Sequence, residues 1–268
     1  LLDVGMKEGN LKKFSGSGGI GTISSRLTLE GPIIKDKTSF LVAGRRTYAD
    51  LFLLFAKDPD VRDNTLFFYD LNLKLNHIFN EKNRLFLSSY LGRDVYANPF
   101  AKMAFGNQTY TLRWNHLFSA RIFSNFTLLH SRYQYELGTP EGDANSFDWR
   151  SKMKDYSAKA DLNFYITPEY TLKFGLISTF HDFEPGSAFG TGEGSLFTEF
   201  ILPSNYALEN GVYVSAEQSA GKRWNLRYGL RFSSFHNVGP STIYNYDDEY
   251  QPIDSTAHGS GEVYHESL

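Results

Sequence analysis

Cysteine is absent from the 268 residues, which removes disulfide frameworks, thiolate catalysis and cysteine-based zinc sites. Long hydrophobic runs are also missing. No stretch approaches the roughly 18 consecutive apolar residues of a membrane helix, so a helical membrane protein is excluded. A β-barrel is not, because its strands need only about 9–11 residues, half of which face a polar interior. Nor is there an excess of positive charge. Lys and Arg number 27 against 30 Asp and Glu, a net charge of -3 that gives no global reason to expect nucleic acid. What the chain has in quantity is aromatic side chains, 16% of the sequence with 17 Tyr and 23 Phe.

Those side chains recur with period two. Over residues 155–166, Tyr156, Ala158, Ala160, Leu162, Phe164 and Ile166 fall on one face and Asp155, Ser157, Lys159, Asp161 and Asn163 on the other. Residues 223–233 repeat the pattern, with Trp224, Leu226, Tyr228, Leu230 and Phe232 opposite Arg223, Asn225, Arg227, Gly229 and Arg231. Strand side chains alternate between faces, so each segment has one apolar and one strongly polar side. Repeated around a closed sheet, this describes a barrel with lipid outside and water inside.

The spacing predicts about ten strands joined by turns that are alternately short and long. The first is expected over residues 15–30, the second over 38–47 and the third over 65–79. The fourth follows over 84–96, the fifth over 108–118, and the sixth ends near Leu137. The seventh spans 155–166, the eighth 170–180 and the ninth 209–219, and the tenth ends near Phe235. Short turns carry Asn80-Glu81-Lys82-Asn83, Ser119-Ala120, Thr167-Pro168-Glu169 and Ala220-Gly221-Lys222. Between them lie long connections over 48–64, 97–107, 138–154, 181–208 and everything after His236. Outer-membrane barrels have this asymmetry, with short turns in the periplasm and long loops outside. Tyr69, Tyr96, Tyr110, Phe118, Tyr156 and Trp224 fall near strand ends, where interfacial aromatic girdles are expected.

One stretch carries a family resemblance. Residues 1–10 read LLDVGMKEGN, residues 14–21 FSGSGGIG, residues 25–32 SRLTLEGP and residues 40–48 FLVAGRRTY. Together they resemble the plug-to-barrel junction of TonB-dependent receptors of the Bacteroidota type. The resemblance implies that residues 1–10 are the last strand of a plug domain. It implies that residues 11–268 are the N-terminal portion of a barrel of roughly 22 strands. The glycines suit a strand that hugs a plug at close backbone approach. Gly18-Gly19-Ile20-Gly21 is no phosphate loop, since no helix is expected after it and no Lys stands in the required place. No signal-peptide pattern opens the chain and a polar stretch closes it, so an internal segment of a larger protein is expected.

Candidate chemistry is thin. The seven histidines (His77, His116, His130, His181, His236, His258 and His265) show no metal-ligand spacing. His181-Asp182 with Glu184 opens a long connection and offers a cation site or a solvated loop. Arg45-Arg46 suits an anionic substrate, a lipopolysaccharide phosphate or a snorkelling pair at the membrane edge. Arg113, Lys159, Arg223, Arg227 and Arg231 are read as lumen-facing cations that meet plug and water. In the last long connection, Tyr244, Tyr246, Asp247, Asp248 and Tyr250 combine rings that stack on sugars with carboxylates that accept hydroxyl protons.

The fold class expected is therefore all-β, an antiparallel transmembrane barrel holding about ten strands of a larger one. The function implied by the resemblance is uptake of a scarce nutrient (siderophore, cobalamin, glycan or peptide) across the outer membrane of a Gram-negative bacterium. No catalytic residues, metal or cofactor are expected. The partners implied are outer-membrane lipid and lipopolysaccharide, a surface lipoprotein, the nutrient, and a TonB-type energy-coupling protein acting through parts absent from this chain. Two alternatives stand beside it: a complete small outer-membrane barrel hydrolase, and a soluble β-sandwich or adhesin module.

Overall fold

The computed structural model describes residues 5–140, 145–191, 198–221 and 223–267. Leu1 to Val4 of the junction segment, and Lys222 of the last short turn, lie outside the described residues. The strands are β1 (Ser15–Ile20), β2 (Ser24–Ile34), β3 (Thr38–Thr47), β4 (Thr65–Asn80), β5 (Asn83–Ala97), β6 (Lys102–Ser119) and β7 (Ile122–Gly138). They continue with β8 (Phe147–Thr167), β9 (Tyr170–Gly190), β10 (Phe200–Ile201), β11 (Asn205–Ala220) and β12 (Trp224–Val238). A separate hairpin, β13 (Ser241–Tyr246) and β14 (Pro252–His258), precedes β15 (Val263–Ser267). Two short helices, α1 (Ala49–Leu53) and α2 (Pro59–Arg62), sit in the connection after β3. The main sheet runs β1-β2-β3-β4-β5-β6-β7-β8-β9-β11-β12-β15, with β10 beside β9. From β1 to β9 each strand pairs with its sequence neighbour, the up-and-down order of a transmembrane barrel wall, while β11 lies beside β9 and β15 beside β12.

Turn chemistry explains the short connections. Asn80 pairs with Asn83 across a two-residue turn, and Asn80 Oδ1 accepts the Lys82 amide at 2.9 Å. Asp36 takes φ of 60° in the β2–β3 turn, where Lys37 donates to the Ile34 carbonyl at 3.0 Å. The segment expected as one strand over 15–30 is instead a hairpin. Gly21 breaks it, its amide bonding Ser24 O at 2.8 Å while its carbonyl accepts the Tyr48 hydroxyl. Several strands outrun their expected limits, β8 and β9 reaching 21 residues each. The polar tail after Thr256 also contains a strand, because β15 pairs with the end of β12.

Burial along these strands is inverted relative to a water-soluble core. Ser39 (0%) and Asn76 (1%) rank among the largest fully buried side chains, whereas Leu230 is 79% exposed. Register accounts for this face by face. Leu71, Leu73 and Leu75 of β4 stand opposite Leu91, Ser89 and Leu87 of β5, forming one apolar surface. Asp70, Asn72, Lys74 and Asn76 line the other side. A sheet that buries its polar face and presents its apolar face outward is matched to lipid.

The chain packs as two compact units, Leu1–Asn115 with Leu129–Lys152 and Gly186–Ile201, and His116–Leu128 with Met153–Pro185 and Leu202–Leu268. In the first, residues 5–11 lie against the polar face of β2 to β5. Lys7 Nζ meets Glu30 Oε1 at 2.7 Å, and Glu8 Oε2 meets Arg84 Nη1 at 3.9 Å. Lys74 Nζ donates to the Met6 carbonyl at 2.8 Å. A Cβ on Gly9 would overlap the Phe40 carbonyl, so only glycine permits this approach.

In the second unit the polar face carries a ladder of pairs. Glu217 meets Lys173 at 2.8 Å and Arg227 at 2.5 Å. Tyr213 donates its hydroxyl to Asp161 at 2.8 Å, and Lys159 reaches the same carboxylate at 2.9 Å. Facing away, Val212, Leu176 and Phe232 share one cross-strand row of the apolar surface. Phe180 and Tyr206 stack above it with centroids 6.1 Å apart.

Candidate functional site

The five nominated residues come together at the tip of the β13–β14 hairpin. Tyr244 stands opposite Ser255, and Tyr246 stands opposite Pro252 after a register shift. Positions two apart on a strand share a face, and the two rings lie 6.4 Å apart at 44°. Both are half exposed, and Tyr250 is 85% exposed with φ of 60°. Asp247 plays a different part from the one expected. Its Oδ1 accepts the amides of Glu249 at 2.9 Å and Gln251 at 2.8 Å, and its own amide donates to Gln251 O at 2.9 Å. That carboxylate holds the turn, a local use that competes with ligand binding. Asp248 remains exposed beside it. The tip therefore presents two same-face tyrosines, a third at the turn and one outward carboxylate, a surface suited to stacking and hydrogen bonding a polar ring.

At the base of this loop, Glu262 Oε2 accepts the Gly259 amide at 2.8 Å and its Oε1 lies 3.1 Å from His258 Nδ1. These two contacts, the backbone one first, hold the Glu262 carboxyl below the usual carboxylate range.

Other expected groupings are separated by strand geometry. Arg45 and Arg46 point to opposite faces. Arg45 bonds Asp70 on the polar side at 2.7 Å, and Arg46 lies over Phe67 on the apolar side at 5.3 Å. His181, Asp182 and Glu184 lie within β9, not in a loop. His181 bridges Asp155 at 2.7 Å and Glu209 at 3.6 Å, while Asp182 and Glu184 bind Lys154 from the other face at 3.0 and 2.8 Å. The three cannot converge on one cation, and among the described residues no group of three ligand-type side chains is placed to hold a metal. Arg113 lies over the Phe86 ring at 4.6 Å, and Arg231 donates to Ser233 at 2.9 Å. Arg223 is exposed.

The aromatic positions divide by register. Tyr69, Tyr110, Phe118, Tyr156 and Trp224 are all exposed on apolar faces. Tyr96 is not part of that set: it pairs with Leu66, on the same face of β4 as Asp70. Sequence reasoning missed α1, whose Leu51 and Phe52, with neighbouring Leu54 and Phe55, are exposed. The apolar run LFLLF inside an expected loop was the available signal.

No family model matches the sequence, and no curated protein matches it. Solved structures do. The copper transporter OprC aligns with a TM-score of 0.67 at 10% identity, over 96% of this chain and 42% of its own. The pyoverdine outer-membrane receptor FpvA of Pseudomonas aeruginosa PAO1 gives 0.64 at 14%, over 96% and 44%. The ferric preacinetobactin receptor BauA of Acinetobacter baumannii gives 0.61 at 12%, over 87% and 42%. The chain thus spans less than half the length of these structures. At such identities the likeness is one of fold, and the fold is the antiparallel β-barrel of outer-membrane receptors.

Proposed function

We propose that this chain is a stretch of a TonB-dependent outer-membrane receptor of the Bacteroidota type that takes up a scarce nutrient. Residues 1–10 close its plug, and residues 11–268 form the N-terminal portion of its barrel. The observation that carries this reading is the inverted burial, with lipid-suited side chains outside and Ser39, Asn76 and Lys74 buried within. It is supported by the docking of residues 5–11 on that buried polar face through Lys7–Glu30 and Glu8–Arg84. In this reading a TonB-type protein supplies energy through parts outside this chain, and extracellular loops capture the nutrient, whether siderophore, cobalamin, glycan or peptide. The tip residues Tyr244, Tyr246, Asp248 and Tyr250 are the surface nominated for contact with it, and a surface lipoprotein is a further partner. No bond is made or broken in such transport, so no catalytic group is assigned.

Fractionation of the source cells tests the reading, with an antibody raised to this segment. A band far heavier than 30.5 kDa in the outer membrane is expected. Uptake assays on a deletion of the full gene, supplied with one nutrient class at a time, then identify the cargo. Recovery in the soluble fraction would overturn the proposal.

A further inference from the structure

The apolar surface of the first unit ends, toward the long connections, in a row that is cationic. Register places Arg46 of β3 and Arg93 of β5 directly on either side of Tyr69 of β4. All three belong to the same face as Leu71, Leu73 and Leu75, the face read as meeting lipid. A third guanidinium, Arg132 of β7, joins them through a side-chain chain. Arg132 Nη2 donates to Gln134 Oε1 at 3.0 Å, Gln134 Nε2 donates to Glu136 Oε1 at 2.6 Å, and Glu136 Oε2 accepts from Arg93 at 2.8 Å. Arg93 thus bonds the carboxylate of Glu136 directly, Arg132 is linked to it through Gln134, and Arg46 lies over the Phe67 ring. Among the described residues, Arg132 Nε is buried without a hydrogen-bond partner. Tyr69, Leu91, Arg93, Gln108, Arg132 and Gln134 line a cavity of about 200 Å³ at this place.

We infer that this row is a binding site for the phosphorylated headgroup of an outer-leaflet lipid. The charge requires an anion, and the fork geometry of guanidinium favours phosphate oxygens. The position selects the source of that phosphate. The row sits one step beyond the apolar band, on the lipid-facing side, at the strand ends that carry the long loops and so at the extracellular leaflet. A free nutrient anion would be captured from the lumen or the loops, not from this side. Tyr69, between the two arginines, places its ring at the depth where interfacial aromatics settle. The acyl chains would then lie along Leu91 and Leu71 below.

The test uses the full-length receptor in lipid nanodiscs, with bisphosphorylated lipid A, dephosphorylated lipid A and inorganic phosphate as separate probes. Native mass spectrometry reads what is retained. Wild-type protein is expected to hold the bisphosphorylated lipid in preference to the dephosphorylated one. The triple variant Arg46→Gln, Arg93→Gln, Arg132→Gln should lose that preference, by roughly five-fold for each charge removed. The corresponding triple lysine variant keeps the charge and should keep the lipid. Heat-modifiable migration on gels verifies that each barrel has formed; if the glutamine triple does not assemble, Arg132→Gln alone carries the same comparison. Equal retention of both lipids, unchanged retention in the glutamine variant, or capture of inorganic phosphate without the lipid would each overturn the site. None of these outcomes bears on nutrient uptake, which the uptake assays on the full gene read separately.

Discussion

At Gly175 the absence of a side chain makes room for a neighbouring ring. Tyr213 stands directly opposite on β11, and its ring covers the glycine so closely that a Cβ there would overlap it. The same tyrosine then reaches Asp161 with its hydroxyl at 2.8 Å, so one side chain ties β11, β9 and β8 together. Gly175→Ala should cost about 1–3 kcal/mol through overpacking. Made in a Tyr213→Ala background, the same change should be nearly neutral, which a double-mutant cycle on urea unfolding of the full-length protein would read. Additive costs would mean the ring and the glycine are uncoupled. Asp247 is the second residue with a definable task. Asp247→Ala should free the Glu249 and Gln251 amides to exchange faster, at about 1 kcal/mol of local order, without changing barrel stability. Glu262 gives a pH signature. Its folded pKa lies below the ordinary one, so its contribution to the loop is complete above the ordinary glutamate range and fades as pH falls through the depressed value. Protection of the Gly259 amide should therefore drop on acidification, and a Glu262→Gln variant should show no such response. Sequence alone yields the exposure of Tyr244, Tyr246 and Tyr250. It does not yield Asp247's role as turn holder, because an aspartate in a loop reads the same whether its carboxylate faces a ligand or its own backbone.

At the level of strands, alternation made most of the fold legible. β3 was expected over its whole observed range, and β4, β5 and β11 within a few residues, since each alternates cleanly and ends in Asn, Gly or Asp turns. The misses have separate causes. β9 runs on through Pro185 and Gly186, residues that read as a loop, while β8 takes in residues 147–154, where Phe147, Trp149 and Met153 still alternate with Asp148, Arg150, Lys152 and Lys154. β1 is so rich in Ser and Gly that it has no alternation, and its turn at Gly21 looked like more of the same strand. Arg45 and Arg46 both lie in the expected second strand, whose geometry sends neighbours to opposite faces and so separates them as a pair. The facing rule makes a sharp prediction at the centre of β9. Leu176 lies in the row of Val212 and Phe232, so Leu176→Arg should cost about 2–4 kcal/mol. Thr171 pairs with Glu217 on the polar face, where an Arg should be accommodated with little loss. Equal costs at the two positions, measured by unfolding in detergent or lipid, would mean that the faces are assigned the wrong way round.

For the molecule as a whole, the distribution of polar and apolar surface decides the solvent. A water-soluble protein of this size hides its large apolar side chains, yet here Leu230, Phe232, Tyr228, Leu226 and Trp224 of β12 are all exposed on one strand. On its other face Arg227 and Arg231 are exposed as well, so β12 needs lipid on one side and water on the other. Along β12 only Phe235 to Val238 pair with β15, while the whole strand pairs with β11. The stretch from Trp224 to Ser234 therefore has ladder partners on one side among the described residues. Unpaired strand backbone is costly in lipid and prone to association in water. Both the surface and the edge predict that residues 1–268 expressed alone in aqueous buffer associate instead of remaining monomeric. Light scattering and size-exclusion chromatography would read this directly, with refolding into detergent micelles as the comparison. A monodisperse soluble monomer that unfolds cooperatively would contradict the inverted burial itself. The soluble β-sandwich reading would then replace the barrel, since an interior and an exterior cannot both be apolar in a chain whose alternation is this regular.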